Sequence, residues 1–158
     1  MVFEVGAFIQ RPIAEVFAFF RDIERYAGRP GSVVPVYDKL TPGPTGVGTR
    51  YREVIRLTPW HTMENESELT EFEPPARLAS RFWFRSGRLH GTLLYTLTPH
   101  NGGTRVTQRQ TLELRGWLRP LRPFIRLTFA RRLRWRMATI KRLLERRELT
   151  PGNQSTGR

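Results

Sequence analysis

Apolar and polar positions alternate singly along most of the first 114 residues and then switch to a three-and-four spacing over the last long segment. In residues 2–10, Phe3, Val5, Ala7 and Ile9 share one side and Glu4, Gly6 and Gln10 the other, the period of a half-buried strand. Pro12 stands where a first helical turn accepts proline, and Ile13, Val16, Phe17 and Phe20 fall on one helical face. A short helix is expected there, continued loosely from Ile23 to Ala27 as a second piece and stopped by Arg29-Pro30-Gly31.

The next stretch predicts strands at residues 33–41, 47–57, 62–73, 77–85, 88–98 and 104–114. They are separated by Pro42-Gly43-Pro44-Thr45-Gly46, Pro59, Pro74-Pro75 and Asn101-Gly102-Gly103. The last of these is a hairpin signal, because Asn and Gly accept the positive φ that tight hairpin turns require. Residues 117–123 read as a proline-limited lead-in to a long helix over 124–147, with Ile125, Phe129, Leu133, Met137, Ile140 and Leu144 as its apolar stripe. The expected fold is α+β: a curved seven-stranded antiparallel sheet, two short helices after its first strand, and one long C-terminal helix that the sheet wraps. Residues 1–148 are expected to form one domain and 149–158 a polar, disordered tail.

Charge changes this picture in one place. Residues 115–158 hold 13 Lys/Arg against Glu145 and Glu148, whereas the first 114 contribute only +2 of the net +13. Such a segment invites an anionic partner. No zinc-finger spacing or RNA-binding aromatic motif accompanies it, so nucleic acid is not expected. The plain reading is a solvated arginine face, and the alternative is weak association of the C-terminal arginines with an anionic membrane. The chain has no cysteine, which excludes thiol nucleophiles and thiolate metal sites. Its first residues lack the pattern of a signal peptide and no run of about 18 apolar residues occurs, so a cytoplasmic protein without a bilayer span is expected. His61, His90 and His100 have no metal-ligand spacing, and neither a nucleophile elbow nor a phosphate-binding glycine loop is present. No metal, no cofactor and a monomer or weak dimer are expected.

Several ordered segments carry a resemblance. Residues 9–19, with Ile9, Pro12, Val16, Phe17 and Phe19, resemble the opening of the START-like superfamily, and Asp22 and Arg25 continue it. Residues 46–51 (GVGTRY), 70–78 (TEFEPPARL), 94–107 and 140–145 (IKRLLE) are similar to its later landmarks, in the same order. The branch most similar is that of polyketide cyclase/dehydrase-like and coenzyme-Q-binding-like proteins. The resemblance implies a helix-grip fold with a deep apolar cavity between sheet and C-terminal helix, and binding of a hydrophobic small molecule such as a lipid, quinone or polyketide. A minority of such proteins are cyclases or dehydratases, so catalysis is an alternative and not the first expectation. A basic adaptor on membrane or ribonucleoprotein is a third reading.

Strand parity assigns the faces, because successive side chains point to opposite sides of a sheet. Arg50, Arg52 and Arg56 share a side, as do Glu64, Glu66 and Glu68; if these meet in solvent, the opposite side is inward. The expected ligand-facing residues are then Tyr51, Glu53, Ile55, Met63, Asn65, Ser67, Phe82, Phe84, Leu93, Tyr95, Gln108 and Gln110 from strands. Phe129, Leu133, Arg136 and Met137 join them from the helix. Glu53 is the only acid on that inner face. Arg136 lies within the apolar stripe and Arg126 at its edge, so either is a candidate to reach toward Glu53; the alternative is that both run out to solvent. If the protein is an enzyme, Glu53 is the acid/base, with Tyr95 or Tyr51 orienting the ligand.

Overall fold

The fold is described from a computed structural model covering residues 1–27, 36–58 and 61–146, with side chains at 56–58 and 61 excepted. The expected Arg29-Pro30-Gly31 stop, the start of the second strand, the outward placing of Arg56, the His61 side chain and the tail lie outside the described residues.

Seven strands form one antiparallel sheet: β1 (Val2–Ile9), β2 (Val36–Lys39), β3 (Arg50–Thr58), β4 (His61–Glu73), β5 (Arg77–Phe84), β6 (Leu89–His100) and β7 (Gly103–Leu114). Their order is β1-β7-β6-β5-β4-β3-β2. After β1 come α1 (Ile13–Arg21) and a turn of 3₁₀ helix (Ile23–Tyr26), broken apart at Asp22. Pro12 caps α1 from outside with extended φ/ψ, and its carbonyl accepts the amides of Glu15 and Val16. A 3₁₀ segment (Gly116–Leu121) leads into α2 (Arg122–Glu145), two residues earlier than the periodicity predicts. Pro123 explains the shift, since a proline is accommodated in a first helical turn. The β6–β7 hairpin closes on Asn101 and Gly102, both at positive φ.

Parity is preserved through most of the sheet. Arg50 and Arg52 face Glu68 and Glu66 in register, and Tyr51, Glu53 and Ile55 face Ser67, Asn65 and Met63. On the convex side Arg50 pairs with Glu66, Arg52 with Asp38, and Arg81 with Glu68. Each exposed pair contributes well under about 1 kcal/mol. Thr70 has no register partner between Leu69 and Glu71, and this bulge turns Phe72 to the same side as Leu69.

The core lies between the concave side and α2. Ile9, Leu97, Leu112, Val106, Met137 and Ile140 are almost fully enclosed there. Burial along α2 is one-sided in sequence as well as in section: Leu133, Met137, Thr139, Ile140 and Leu144 are buried, and all but Leu133 lie in its second half. That half is also fastened to β1 and the turn after it. Lys141 donates to the Phe8 carbonyl at 2.6 Å, Arg11 Nε to the Leu144 carbonyl at 3.0 Å, and the Gln10 amide to Glu145 Oε1 at 3.0 Å.

The Gln10 amide, aided by Lys141, holds the Glu145 carboxyl below its ordinary value of 4.5. A depressed folded-state pKa stabilises fully above the unfolded value and is lost as pH falls through the folded one. Glu145→Gln is therefore expected to be less stable than the parent at neutral pH and equal to it once the carboxyl is protonated. Denaturant midpoints across that acid range check it.

Candidate functional site

Between the sheet and α2 lie two narrow, adjoining cavities. The larger, of about 70 Å³, is walled by Glu53, Ile55, Asn65, Phe82, Phe84, Gln110, Phe129, Arg132 and Leu133, with Tyr37 and Trp135 at its sides. The smaller, of about 30 Å³, lies against Phe20, Ile23, Tyr51, Leu69, Leu78 and Tyr95. Tyr37, Ser67, Ser80, Leu93 and Arg136 border both. Arg136 is thus the partition between two lobes, projecting inward from α2.

Most residues expected to face a ligand line one lobe or the other. Glu53, Ile55, Asn65, Phe82, Phe84, Gln110, Phe129 and Leu133 border the larger, Tyr51 and Tyr95 the smaller, and Ser67, Leu93 and Arg136 both. Three expectations are corrected. Gln108 is fully enclosed behind the wall, where its Nε2 donates to Gln110 Oε1 at 3.1 Å, and Met137 packs into the core with Ile140. Met63 packs beside Ile55 and Phe84, outside both linings. A fourth correction is Arg126, which is exposed. Helical angle puts it beside the stripe, but it lies in the part of α2 before Leu133, where no residue is buried. In place of the expected deep cavity there are two small ones, of about 70 and 30 Å³, that share Arg136 and Tyr37 in their walls.

Sequence reasoning missed two residues that matter. Tyr37 pairs in register with Glu53 across β2 and β3, and its hydroxyl bonds to Ser67. Its neighbour Asp38 sits on the convex side with Arg52, and that polar partner was the available signal for Tyr37 pointing inward. Arg132 precedes Arg136 by one helical turn and so shares its flank of α2.

The site is electrostatically lopsided. The charged residues bordering the lobes are one carboxylate, Glu53, and two guanidiniums, Arg132 and Arg136. Glu53 accepts a long 3.5 Å bond from Asn65 Nδ2, and no guanidinium comes within ion-pair distance of it among the described residues. It acts on both arginines through space. Burial lowers the Arg132 value; burial also opposes charge on Arg136, but the phenols of Tyr95 and Tyr37 once ionised, together with the Glu53 carboxylate, outweigh it and raise the net value. Burial raises the Tyr37 and Tyr95 hydroxyls well above their ordinary value, so both stay protonated donors.

Polar atoms without partners gather here. Tyr95 Oη, Asn65 Oδ1 and Arg136 Nε, all on residues that border the lobes, are enclosed and unbonded among the described residues. Buried polar groups are ordinarily satisfied, so such a cluster marks a place suited to a polar guest. Candidate catalytic geometry is mixed. Glu53 and Tyr95 border different lobes with Arg136 between them, and Tyr51 shares the lobe of Tyr95; the tyrosine beside Glu53 is Tyr37. His90 pairs with Glu113 on the exposed side and His100 packs edge-on to Phe8, both away from the lobes.

The sequence profile of the family described as polyketide cyclase / dehydrase and lipid transport matches residues 2–145. The chain belongs to that family. Its fold is shared with the Zhui aromatase/cyclase from Streptomyces sp. R1128, at a TM-score of 0.77 and 13% identity over 93% of this chain and 94% of the other. TTHA0849 from Thermus thermophilus aligns at a TM-score of 0.71 and 19% identity, covering 91% and 97% of the two chains. The two-domain aromatase/cyclase StfQ of the steffimycin biosynthetic pathway aligns at 0.75 and 14% identity over 92% of this chain and 51% of its own length. No curated protein matches in sequence. The helix-grip architecture of this START-like family is therefore the frame in which the two lobes sit. No helix among the described residues is long and apolar enough to cross a membrane.

Proposed function

We propose that this family member binds an amphipathic small molecule bearing one acidic group, with its apolar body in the larger lobe and its acidic oxygen at Arg136. Family membership supports hydrophobic-ligand binding or cyclase-type function in general, and the lopsided charge of the cavity supports the narrower reading. Two guanidiniums against one carboxylate leave one positive charge bordering a half-buried site, where a guest anion is held more strongly than in open water. A guest carboxylate, enolate or phenolate would match it and could bond to Arg136 Nε and the Tyr95 hydroxyl. Phe82, Phe84, Leu93, Phe129 and Leu133 supply the apolar wall, the usual composition of a small-molecule site. Small-molecule sites run from about 300 Å³ upward, so a guest of ordinary size requires α2 to lift at its less buried half.

Mass spectrometry of molecules released from natively purified protein tests this reading. Retained acids with a large apolar part support it; retention of neutral lipids alone overturns it.

A second reading, cyclase or dehydratase chemistry, is favoured by one observation: Glu53 and Tyr37 face each other in register beside Arg136. Glu53 would move the proton and Arg136 would hold the oxyanion. Glu53→Gln separates the readings. Because it removes the only negative charge of the site, it is expected to tighten binding of an aromatic sulfonate probe such as anilinonaphthalene sulfonate by about threefold to tenfold. Under the second reading the same variant loses turnover while keeping the tighter binding. Unchanged affinity would count against Glu53 facing the guest at all.

A further inference from the structure

The arginines of this chain fall into two populations. On the sheet, Arg50, Arg52, Arg77 and Arg81 each meet a carboxylate from a neighbouring strand. Along the 3₁₀ segment and α2 as far as Arg134, Arg119, Arg122, Arg126, Arg131 and Arg134 are exposed. Among the described residues, none of these five is in an ion pair, and no acid lies between Glu113 and Glu145.

The same stretch exposes large apolar side chains: Trp117 at 63%, Leu121 at 41%, Phe124 at 68%, Leu127 at 55% and Trp135 at 55%. At about 100° per residue, Phe124, Leu127, Arg131 and Trp135 share one face of α2, roughly opposite Leu133, Met137 and Ile140 on the sheet side. α2 thus has a second apolar stripe, outward, set among arginines that pair with no acid among the described residues. A surface meant only for water has no use for it.

We infer that this ridge docks the protein on the surface of an anionic lipid bilayer. Indole and phenyl rings settle at headgroup depth, while guanidinium groups meet lipid phosphate and their stems lie along the acyl boundary. Charge argues against a second copy of the chain as the occupant, since a two-fold contact would set these arginines against their own counterparts. The apolar side chains argue against nucleic acid, whose phosphates would leave Leu121 and Leu127 without an apolar partner. Trp135 borders both the ridge and the larger lobe, so a docked molecule presents the rim of its cavity to lipid.

The test uses the full chain with vesicles of phosphatidylcholine, with and without phosphatidylglycerol. Co-sedimentation with the mixed vesicles only is expected, together with quenching of tryptophan fluorescence by brominated lipid. Phe124→Ser/Leu127→Ser, at two exposed positions, is expected to keep the parent's unfolding midpoint and weaken vesicle binding about tenfold or more. Absence of binding to the mixed vesicles at low salt overturns the inference. So does binding that is undiminished in the double variant, which would mean charge attraction alone. A parent dimer made monomeric by the double variant, or loss of RNA binding without loss of vesicle binding, would reassign the ridge to another partner.

Discussion

Arg136→Met is expected to weaken binding of an acidic amphipathic probe about a hundredfold and to leave the unliganded protein as stable as before, or more so. The first half follows from desolvation. Removing one member of a buried ion pair between protein and guest costs roughly 2–5 kcal/mol, and about 2.7 kcal/mol is a factor of a hundred. The second half follows from what surrounds the side chain when no guest is present. Arg136 Nε is enclosed with no partner among the described residues, and Glu53 retains Arg132 as a neutralising charge after the change. Methionine keeps most of the stem's apolar contact and drops the unsatisfied donor, an exchange that is often neutral or favourable in buried sites.

Two related dyes make the measurement specific. Anilinonaphthalene sulfonate and phenylnaphthylamine share the aromatic body, but only the first is an anion. The parent is expected to prefer the sulfonate and Arg136→Met to bind the two alike. A variant that loses both dyes equally has a collapsed cavity rather than a missing charge partner, and the proposed role of Arg136 would then fail.

The second large effect is structural. Gly91→Ala is expected to cost about 3 kcal/mol or more, a drop in melting temperature of roughly 6–12 °C for a domain of this size. A Cβ at Gly91 would stand 2.0 Å from the Thr111 carbonyl oxygen and 2.8 Å from the Phe82 ring. A side chain can swing aside, whereas the carbonyl belongs to the adjoining strand and cannot. Gly91 pairs with Phe82 on one side and Leu112 on the other, so the missing methyl is what lets β6 approach β7 under a phenyl ring. Gly91→Ala/Phe82→Leu should therefore regain little of the loss. Gly43→Ala supplies the contrast: its φ of 88° carries strain but nothing lies within 4 Å, so about 1 kcal/mol is expected. Equal melting temperatures for the two single variants would show that the strands are not so closely apposed.

The fold could be read from the chain because its strands alternate without interruption over long stretches. Opposed rows of arginine and glutamate on β3 and β4 fixed which side was outward, and every inner residue assigned there follows from that one choice. The limits have equally local causes. Tyr37 lies on a strand of four residues, too short for its own alternation to speak, and only the Asp38–Arg52 pair reveals its side. Helical angle told Arg136 from the solvent face but misplaced Arg126. Periodicity gives direction around an axis and says nothing about where along that axis the covering sheet ends. The lobes' small volume was not legible either, since it depends on how far one guanidinium and several rings reach across a gap. The bulge at Thr70 left no mark on the expected inner set only because it falls beyond Leu69.

The buried residues of α2 and its bonds to Phe8, Arg11 and Gln10 are gathered toward one end, so the helix is held as a cantilever is held, by its root. Its other end is held more lightly, through the partly buried Ile125, Phe129 and Ala130, so deflection there would change the volume above Phe82 while the core around Ile140 stays at rest. Under the proposed function, guests of different length would be admitted by bending one element, and the sheet need not yield.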